Sequence, residues 1–551
     1  MSAPRRAALG PLVFGVLLGG IALAGGALAQ DGLGPGPGWR GPRRPTAHNE
    51  VFATGDGCAM CHSASARSVA LRDANGVDVS PHALWSASVM ANSFRDPYWR
   101  AQVAKEIAAD PEHAVELQAL CLRCHAPMVH HGRRLAGQGP LSVAAAAADP
   151  LAQDGVSCTV CHQIQPDGLG TEATFAGRPE IQRGRRIFGP YQEPFGMPML
   201  NFSTYQPSHG AHVQSAALCA SCHTLPTEHA GKRFPEQTPY LEWRNSVFSD
   251  EAGRTDTSRT CQECHMPDVG AMRLARNPAG RDFNLAPREH VRAHSFVGGN
   301  AFLLDLLAAN RESLGVTASV EALQQQAMAS RRLLAHDTVA LTLGPITRNA
   351  GVLEFAVQLE NRTGHKFPTG YPARRAWLHV QVRLGDQVLF DSGGFTREGA
   401  IADLDVPQGE PHRDRITAKS EVAIFELVAA DAHDAPTTHL ARMHHRLKDN
   451  RLLPRGWRAD GPHADDTAPV GTAGDADFGP GGDTVHYAVP WPADRGAATV
   501  VVWLLYQTIP PHWVAPLRAV DAEECRSFVR MYDAADRTPE TVAVAVRSEA
   551  R

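Results

Sequence analysis

After its first 29 residues the chain has no apolar run near the roughly 20 residues of a membrane-spanning helix. The most apolar later stretch, 500–506, has the length of a strand. There is also no basic excess. Lys and Arg number 53 against 58 Asp and Glu, a formal charge of −5 with no basic block, so nucleic acid is not an expected partner. With 43% hydrophobic and 20% charged residues, the chain is too apolar for disorder. Over 551 residues it is long enough for two or more domains. Between 46 and 296 few stretches carry a long apolar face, so that region has little polypeptide with which to build a core. What it has instead is cysteine and histidine, 11 and 26 in the whole chain.

The N-terminus reads as a targeting segment. Arg5 and Arg6 precede an apolar stretch over 11–26, and Ala27-Leu28-Ala29 is a small-residue cleavage site, which predicts a signal peptide over 1–29 and a mature chain from Gln30. Removing two positive charges takes −5 to −7. Export to an oxidising space usually implies disulfides, but the cysteine spacing points elsewhere.

Ten of the cysteines fall in one repeated pattern: Cys58-Ala-Met-Cys61-His62, Cys121-Leu-Arg-Cys124-His125, Cys158-Thr-Val-Cys161-His162, Cys219-Ala-Ser-Cys222-His223 and Cys261-Gln-Glu-Cys264-His265. C-x-x-C-H is the attachment pattern of haem c. Two thiols on one helical turn reach the two vinyl groups of a porphyrin, and the adjoining histidine ligates the iron. At this composition chance gives roughly 0.01 such motifs. Zinc ribbons pair CxxC units at short separations, whereas every unit here ends in histidine and the intervals are irregular. Five covalent haems are therefore expected. Each would bury a flat apolar surface and supply the core the polypeptide lacks.

A wider set of motifs surrounds these. His82-Ala-Leu-Trp85-Ser-Ala-Ser88-Val-Met90 is followed by Asp96-Pro97-Tyr98-Trp99 and Gly155-Val-Ser-Cys158. His212 stands seven residues before Cys219, and Phe234-Pro-Glu236-Gln237-Thr-Pro-Tyr240-Leu-Glu-Trp243 precedes Cys261. Further on come His294-Ser-Phe-Val-Gly298-Gly299-Asn300 and Asn361-Arg-Thr-Gly364-His365-Lys-Phe-Pro368-Thr-Gly370-Tyr-Pro372-Ala-Arg374-Arg375-Ala-Trp377. With these motifs the chain resembles the multihaem c-type cytochromes of the cytochrome c-552/4 group, relatives of hydroxylamine oxidoreductase and its electron-accepting cytochrome. The resemblance implies distal iron ligands at His82, His212, His294 and His365. For the fifth, His130 or His131 just past the second motif is the choice. Met90 and a vacant position are the alternatives, because Met90 and Phe248 stand where relatives carry a histidine after Trp85 and Trp243. Cys-x-x-Cys-Lys, which marks the catalytic haem of ammonia-forming nitrite reductases, is absent, and there are five motifs, not the eight of hydroxylamine oxidoreductase.

Helices are expected over 301–310 and 319–335. From His336 the apolar period changes to two: Leu353, Phe355, Val357 and Leu359 alternate with polar residues, as do Leu378, Val380, Val382 and Leu384. Further strands are expected over 422–428, 484–489 and 499–506, and a helix carrying the unpaired Cys525 over 521–535. The expected fold is a multihaem cytochrome domain of short helices and loops around stacked haems, followed by an antiparallel β-sandwich-like domain. The corresponding boundaries are a pentahaem cytochrome c domain over 30–300, a helical connector over 301–335, and the β domain over 336–516 with a long loop near 433–482. A C-terminal helix and tail follow over 517–551. The loop at Gly364–Pro372 joins the first two clear strands, and its glycines and prolines give it a fixed path that sets His365 against a haem.

The function expected is electron transfer in the periplasm or outside the cell, with redox proteins as partners, either free or within a membrane or surface electron-transfer complex. The alternative is a multihaem oxidoreductase acting on a small nitrogen or sulfur compound at a haem with an open coordination position.

Overall fold

The structure, a computed structural model, describes residues 47–404, 409–492 and 495–549. The signal-peptide reading falls outside them. Among the described residues no helix is long and apolar enough to cross a membrane.

The first part of the chain is built as its composition requires. Short helices alternate with turns, and the longest before residue 300 is Pro97–Ala109. Its start is fixed by Asp96, whose carboxylate accepts from the backbone N–H groups of Tyr98 and Trp99, and by Pro97, whose missing donor costs nothing at that position. Each C-x-x-C-H motif occupies the last turn of a short helix: Gly55–His62, Ala114–His125, Cys158–Cys161 with His162 as its cap, Ala216–His223 and Cys261–His265. The last begins with a reciprocal cap between Thr260 and Glu263, and Ala216–His223 is capped by Ser215. Two-stranded ribbons at Arg186–Gly189 with Gln206–His209, and at Leu225–His229 with Lys232–Gln237, complete this part.

Helices Ala301–Ala309 and Val320–Asp337 follow, close to their expected limits, and share an apolar cluster through Leu304, Leu307, Leu323 and Ala327. Two sheets come next. In one the strand order is Arg415–Ile416, Gly482–Pro490, Val352–Asn361, Val339–Leu343, with Thr347–Asn349 also on Val352–Asn361. In the other it is His445–Asp449, Ile424–Ala430, Arg375–Leu384, Thr499–Gln507, Glu540–Ser548, with Gln387–Ser392 also on Arg375–Leu384. All these pairings are antiparallel except that of Arg415–Ile416. The alternation read from the sequence is the register observed: Val357 opposes Val485, Phe355 opposes Tyr487, and Val380 opposes Val502. These side chains belong to one apolar cluster drawn from both sheets.

Two segments differ from the sequence reading. The 433–482 stretch contains the strand His445–Asp449 and the short helix Ala464–Thr467. The strand carries no apolar alternation because Lys448 and Asp449 are buried as ions, with Glu426 and Lys366 as partners. At the end of the chain, Glu523–Ala534 is helical as expected, but the tail after it forms the strand Glu540–Ser548 at the edge of the second sheet. The helix packs on Pro97–Ala109 through Phe528 and Tyr532, and the Cys525 thiol donates to Ala101 O at 3.3 Å. Cys525 is thus a buried packing residue.

Candidate functional site: a cavity lined by the five motifs

All ten motif cysteines and all five motif histidines line one continuous cavity of ≈ 2060 Å³. That is at least twice the roughly 300–1,000 Å³ usual for a small-ligand pocket. The motifs touch one another within it. The Cys58 thiol lies against Cys158, Cys124 against Cys222, and Cys219 against Cys261, while Cys161 feels both Cys219 and Cys222. Contact therefore joins the first motif to the third and the second and fifth to the fourth, and the third motif acts electrostatically on the fourth.

The imidazoles are prepared as ligands. His62 Nδ1 donates to Leu274 O at 2.9 Å, His125 to Ser93 O at 3.0 Å, His162 to Phe188 O at 2.6 Å and His265 to Val297 O at 2.6 Å. A carbonyl can only accept, so these bonds fix the tautomer and leave Nε2 free for a metal. Burial favours the neutral ring throughout. It lowers His62, His162 and His265 and pulls His125 and His223 down to about 4.

Of the nominated distal ligands, two face a motif histidine directly. His294 and His162 have ring centres 6.1 Å apart and planes 18° apart, and His365 and His265 are 6.2 Å and 11° apart. Both distal rings also donate through Nδ1, His294 to Arg292 O at 3.0 Å and His365 to Lys366 O at 2.9 Å. Two metal–nitrogen bonds of about 2 Å, plus the half-widths of two imidazoles, bring ring centres to about 6 Å. Each pair therefore leaves the space one iron needs. The donor set fits the haem c that the motifs imply.

His82 lines the same cavity and acts electrostatically on His62. Its Nε2 is 3.8 Å from Asp56. His212 sits beside His162 and Phe188, with Nε2 donating to Ile164 O at 2.9 Å, which leaves Nδ1 as its free nitrogen. His130 and His131 stand edge to face and are not among the residues lining the cavity. His131 is buried against the Gly177 backbone. Met90 does line it. The His125 ring is covered by Trp99, with centres 4.4 Å apart and planes nearly parallel.

The sequence reading assigned no role to two further groups. Glu242, fully buried on the helix Pro239–Arg244, clamps the His365 loop. Its carboxylate accepts from Lys366 N at 3.0 Å, Thr369 Oγ1 at 2.5 Å and Thr238 Oγ1 at 2.9 Å, and pairs with Arg451 at 3.4 Å. Gly364 permits the close approach, since a Cβ there would stand 3.1 Å from Trp243 Cδ1. The second group is a polar wall near Cys121. Tyr98, Gln102 and Glu106 recur every four residues on one face of Pro97–Ala109, opposite Glu236 and Tyr371. Tyr98 Oη faces Tyr371 Oη and the Gln102 amide, and Glu236 Oε2 is buried without a protein hydrogen bond. Burial pushes Glu236 up to about 8, so it holds a proton at neutral pH. Glu106 is held below its ordinary value, against its own burial, by His439, Lys105 and the Leu440 N–H. The four-residue spacing on the helix was the available signal for this wall.

Neither a protein-family model nor any curated protein matches the sequence. Among solved structures, a penta-heme cytochrome c552 from Thermochromatium tepidum aligns with 84% of this chain and 94% of its own, at 16% identity and a TM-score of 0.47.

Proposed function

We propose that this protein is an exported pentahaem c-type cytochrome that transfers electrons between redox proteins, related to the cytochrome c-552/4 group, with the two sheets forming a sandwich. The observation that carries the reading is the pair of facing imidazole couples, His162–His294 and His265–His365, at iron-spanning distance within a cavity lined by all five attachment motifs. Haem c supplies reversible one-electron chemistry at such sites. The chain supplies thiols for attachment, neutral imidazoles, four of the five motif rings having Nδ1 tied to the backbone, and motif-to-motif contact. His82 is the proposed partner of His62.

The test is cofactor load. Intact mass of the mature protein should exceed the polypeptide by five haems, and acid–acetone should extract none, because the links are thioethers. Three or fewer haems after expression with a full maturation system would overturn the reading. An oxidoreductase reading has one observation in its favour: among the described residues no imidazole ring faces His125 or His223, while the buried Glu236 Oε2 near Cys121 has no hydrogen bond. It requires one high-spin haem in five and sustained catalytic current from a protein film on adding nitrite, hydroxylamine or tetrathionate. A wholly low-spin protein with reversible electron uptake alone leaves the carrier.

A further inference from the structure

Far from the motifs in sequence, the first sheet carries a second concentration of metal-ligating groups. His412, Asp475 and Asp483 offer ligand atoms that all lie within 4.8 Å of one another, and so do Asp414, Asp477 and His486 beside them. The six residues come from three places: the strand Gly482–Pro490, the turn before it, and the segment leading into Arg415–Ile416, which runs parallel to that strand.

The hydrogen bonds decide which of these atoms are available. Asn450 is fixed in orientation, because its Oδ1 accepts from Glu426 N at 3.0 Å and its Nδ2 donates to Ile424 O at 2.8 Å. The same Nδ2 donates to His412 Nδ1 at 3.0 Å. His412 must then carry its proton on Nε2, where it donates to Asp475 Oδ2 at 2.7 Å. So His412 orients a carboxylate and is not itself the ligand. Asp475 Oδ1 accepts from the N–H groups of Asp477 and Phe478, both at 3.0 Å, which locks the turn.

Asp483 is the group left over. It is 3% exposed, its Oδ1 accepts from its neighbour Thr484 N, and its Oδ2 has no partner. Asp475, Asp477 and Asp414 all act on it as like charges. The nearest cationic side chains in sequence are engaged elsewhere, Arg413 with Glu410 and Glu421 and Arg415 with Glu354. Asp414 Oδ1 is likewise buried without a hydrogen bond. Burial first, and then these acidic neighbours, push Asp483 up to about 8, so the bare carboxylate is a costly arrangement that either a proton or a balancing cation relieves. Four carboxylates, with both His412 nitrogens engaged and His486 Nε2 held on Asp477 Oδ2 at 3.1 Å, make an oxygen-dominated set, which suits a hard divalent ion better than zinc or copper.

We propose that Asp475 and Asp483 hold a divalent cation of the calcium class, with His412 positioning Asp475 and with Asp414 and Asp477 adding to the negative field. The ion would tie the turn over 475–482 to the strand it precedes. Gly481 lies in that turn, and its carbonyl accepts from Asn361 N while Asn361 Nδ2 donates to His365 O at 2.8 Å. The site therefore buttresses the loop that carries His365.

The test uses the full-length, haem-loaded protein stripped with EGTA and titrated calorimetrically with calcium, magnesium and zinc chloride in turn. One calcium per chain is expected, with a thermal midpoint raised by about 5 °C at saturation. Asp483→Asn should weaken calcium binding at least tenfold while haem count and Soret spectrum stay unchanged, and Asp475→Asn should do the same. Absence of calcium uptake by the wild type overturns the proposal without needing any variant to fold. Unaltered calcium affinity in Asp483→Asn overturns it, as does zinc binding with calcium silent.

Discussion

Burial in the cavity holds the motif imidazoles neutral and raises Glu236, and at Glu236 that has a measurable consequence. Burial raises its carboxyl to about 8, against roughly 4.3 in an unfolded chain. Between those values the native state holds a proton that the unfolded state has released, so its contribution to stability is complete below about pH 4 and is lost as pH rises toward 8. Glu236→Gln keeps the shape and a donor and removes the titration. The variant should show a flatter stability profile, the wild type losing on the order of 2 kcal/mol relative to it between pH 6 and 8. Urea denaturation of the haem-loaded proteins at the two pH values checks this. A wild type that gains stability from pH 6 to 8 relative to the variant would sink the argument. The buried imidazoles obey the same rule with the opposite charge, for burial keeps them neutral and so in the form that binds a metal.

At the scale of elements, the 361–374 loop does most to set the site. It leaves one sheet strand and enters another, and on the way presents His365 to His265. Its conformation is held from the N-terminal half by Glu242, and from the β side by Asn361 and the buried Lys366–Asp449 ion pair at 2.7 Å. His365→Ala should leave all five haems attached and open one iron, seen as partial high-spin signal and carbon monoxide binding on reduction. Glu242→Ala should do the same more weakly, and because it leaves Arg451 buried without that partner it should cost about 3 kcal/mol in stability. An unchanged spectrum in His365→Ala would remove the loop from the site while leaving the five attachments intact. Sequence made the C-x-x-C-H repeats legible because their pattern is contiguous, and the β strands legible because their inward faces are apolar at period two. It did not reveal Glu242, whose role depends on a loop more than 120 residues away. Nor did it reveal the strand His445–Asp449, where buried ions replace the apolar pattern. The facing of His162 by His294 was readable only through resemblance, since nothing in their spacing joins them.

Across the whole molecule the two halves share interior. The C-terminal helix buries Phe528 and Tyr532 against Tyr98 and Ala101 of the helix Pro97–Ala109, in one cluster with Leu303 and Leu306. Lys105 Nζ donates to Thr438 O at 2.7 Å, and Glu106 accepts from the N–H groups of Leu440 and Ala441. Tyr506 Oη, on a central sheet strand, donates to Gly299 O at 2.9 Å, in the turn that follows His294. Boundaries drawn on sequence at 300 and 336 therefore cut through packed surface, and neither half can lose its fold without exposing the other's apolar side chains. The halves should unfold together: melting followed by Soret circular dichroism, which reports the haem cavity, should coincide with melting followed by far-ultraviolet signal from the sheets. Phe528→Ala removes a fully buried ring at the joint, a change that typically costs about 3–5 kcal/mol. It should lower both transitions by the same several degrees although it touches no motif. A variant in which the far-ultraviolet transition falls and the Soret transition stays would mean that the cytochrome half stands alone and the shared cluster is only contact.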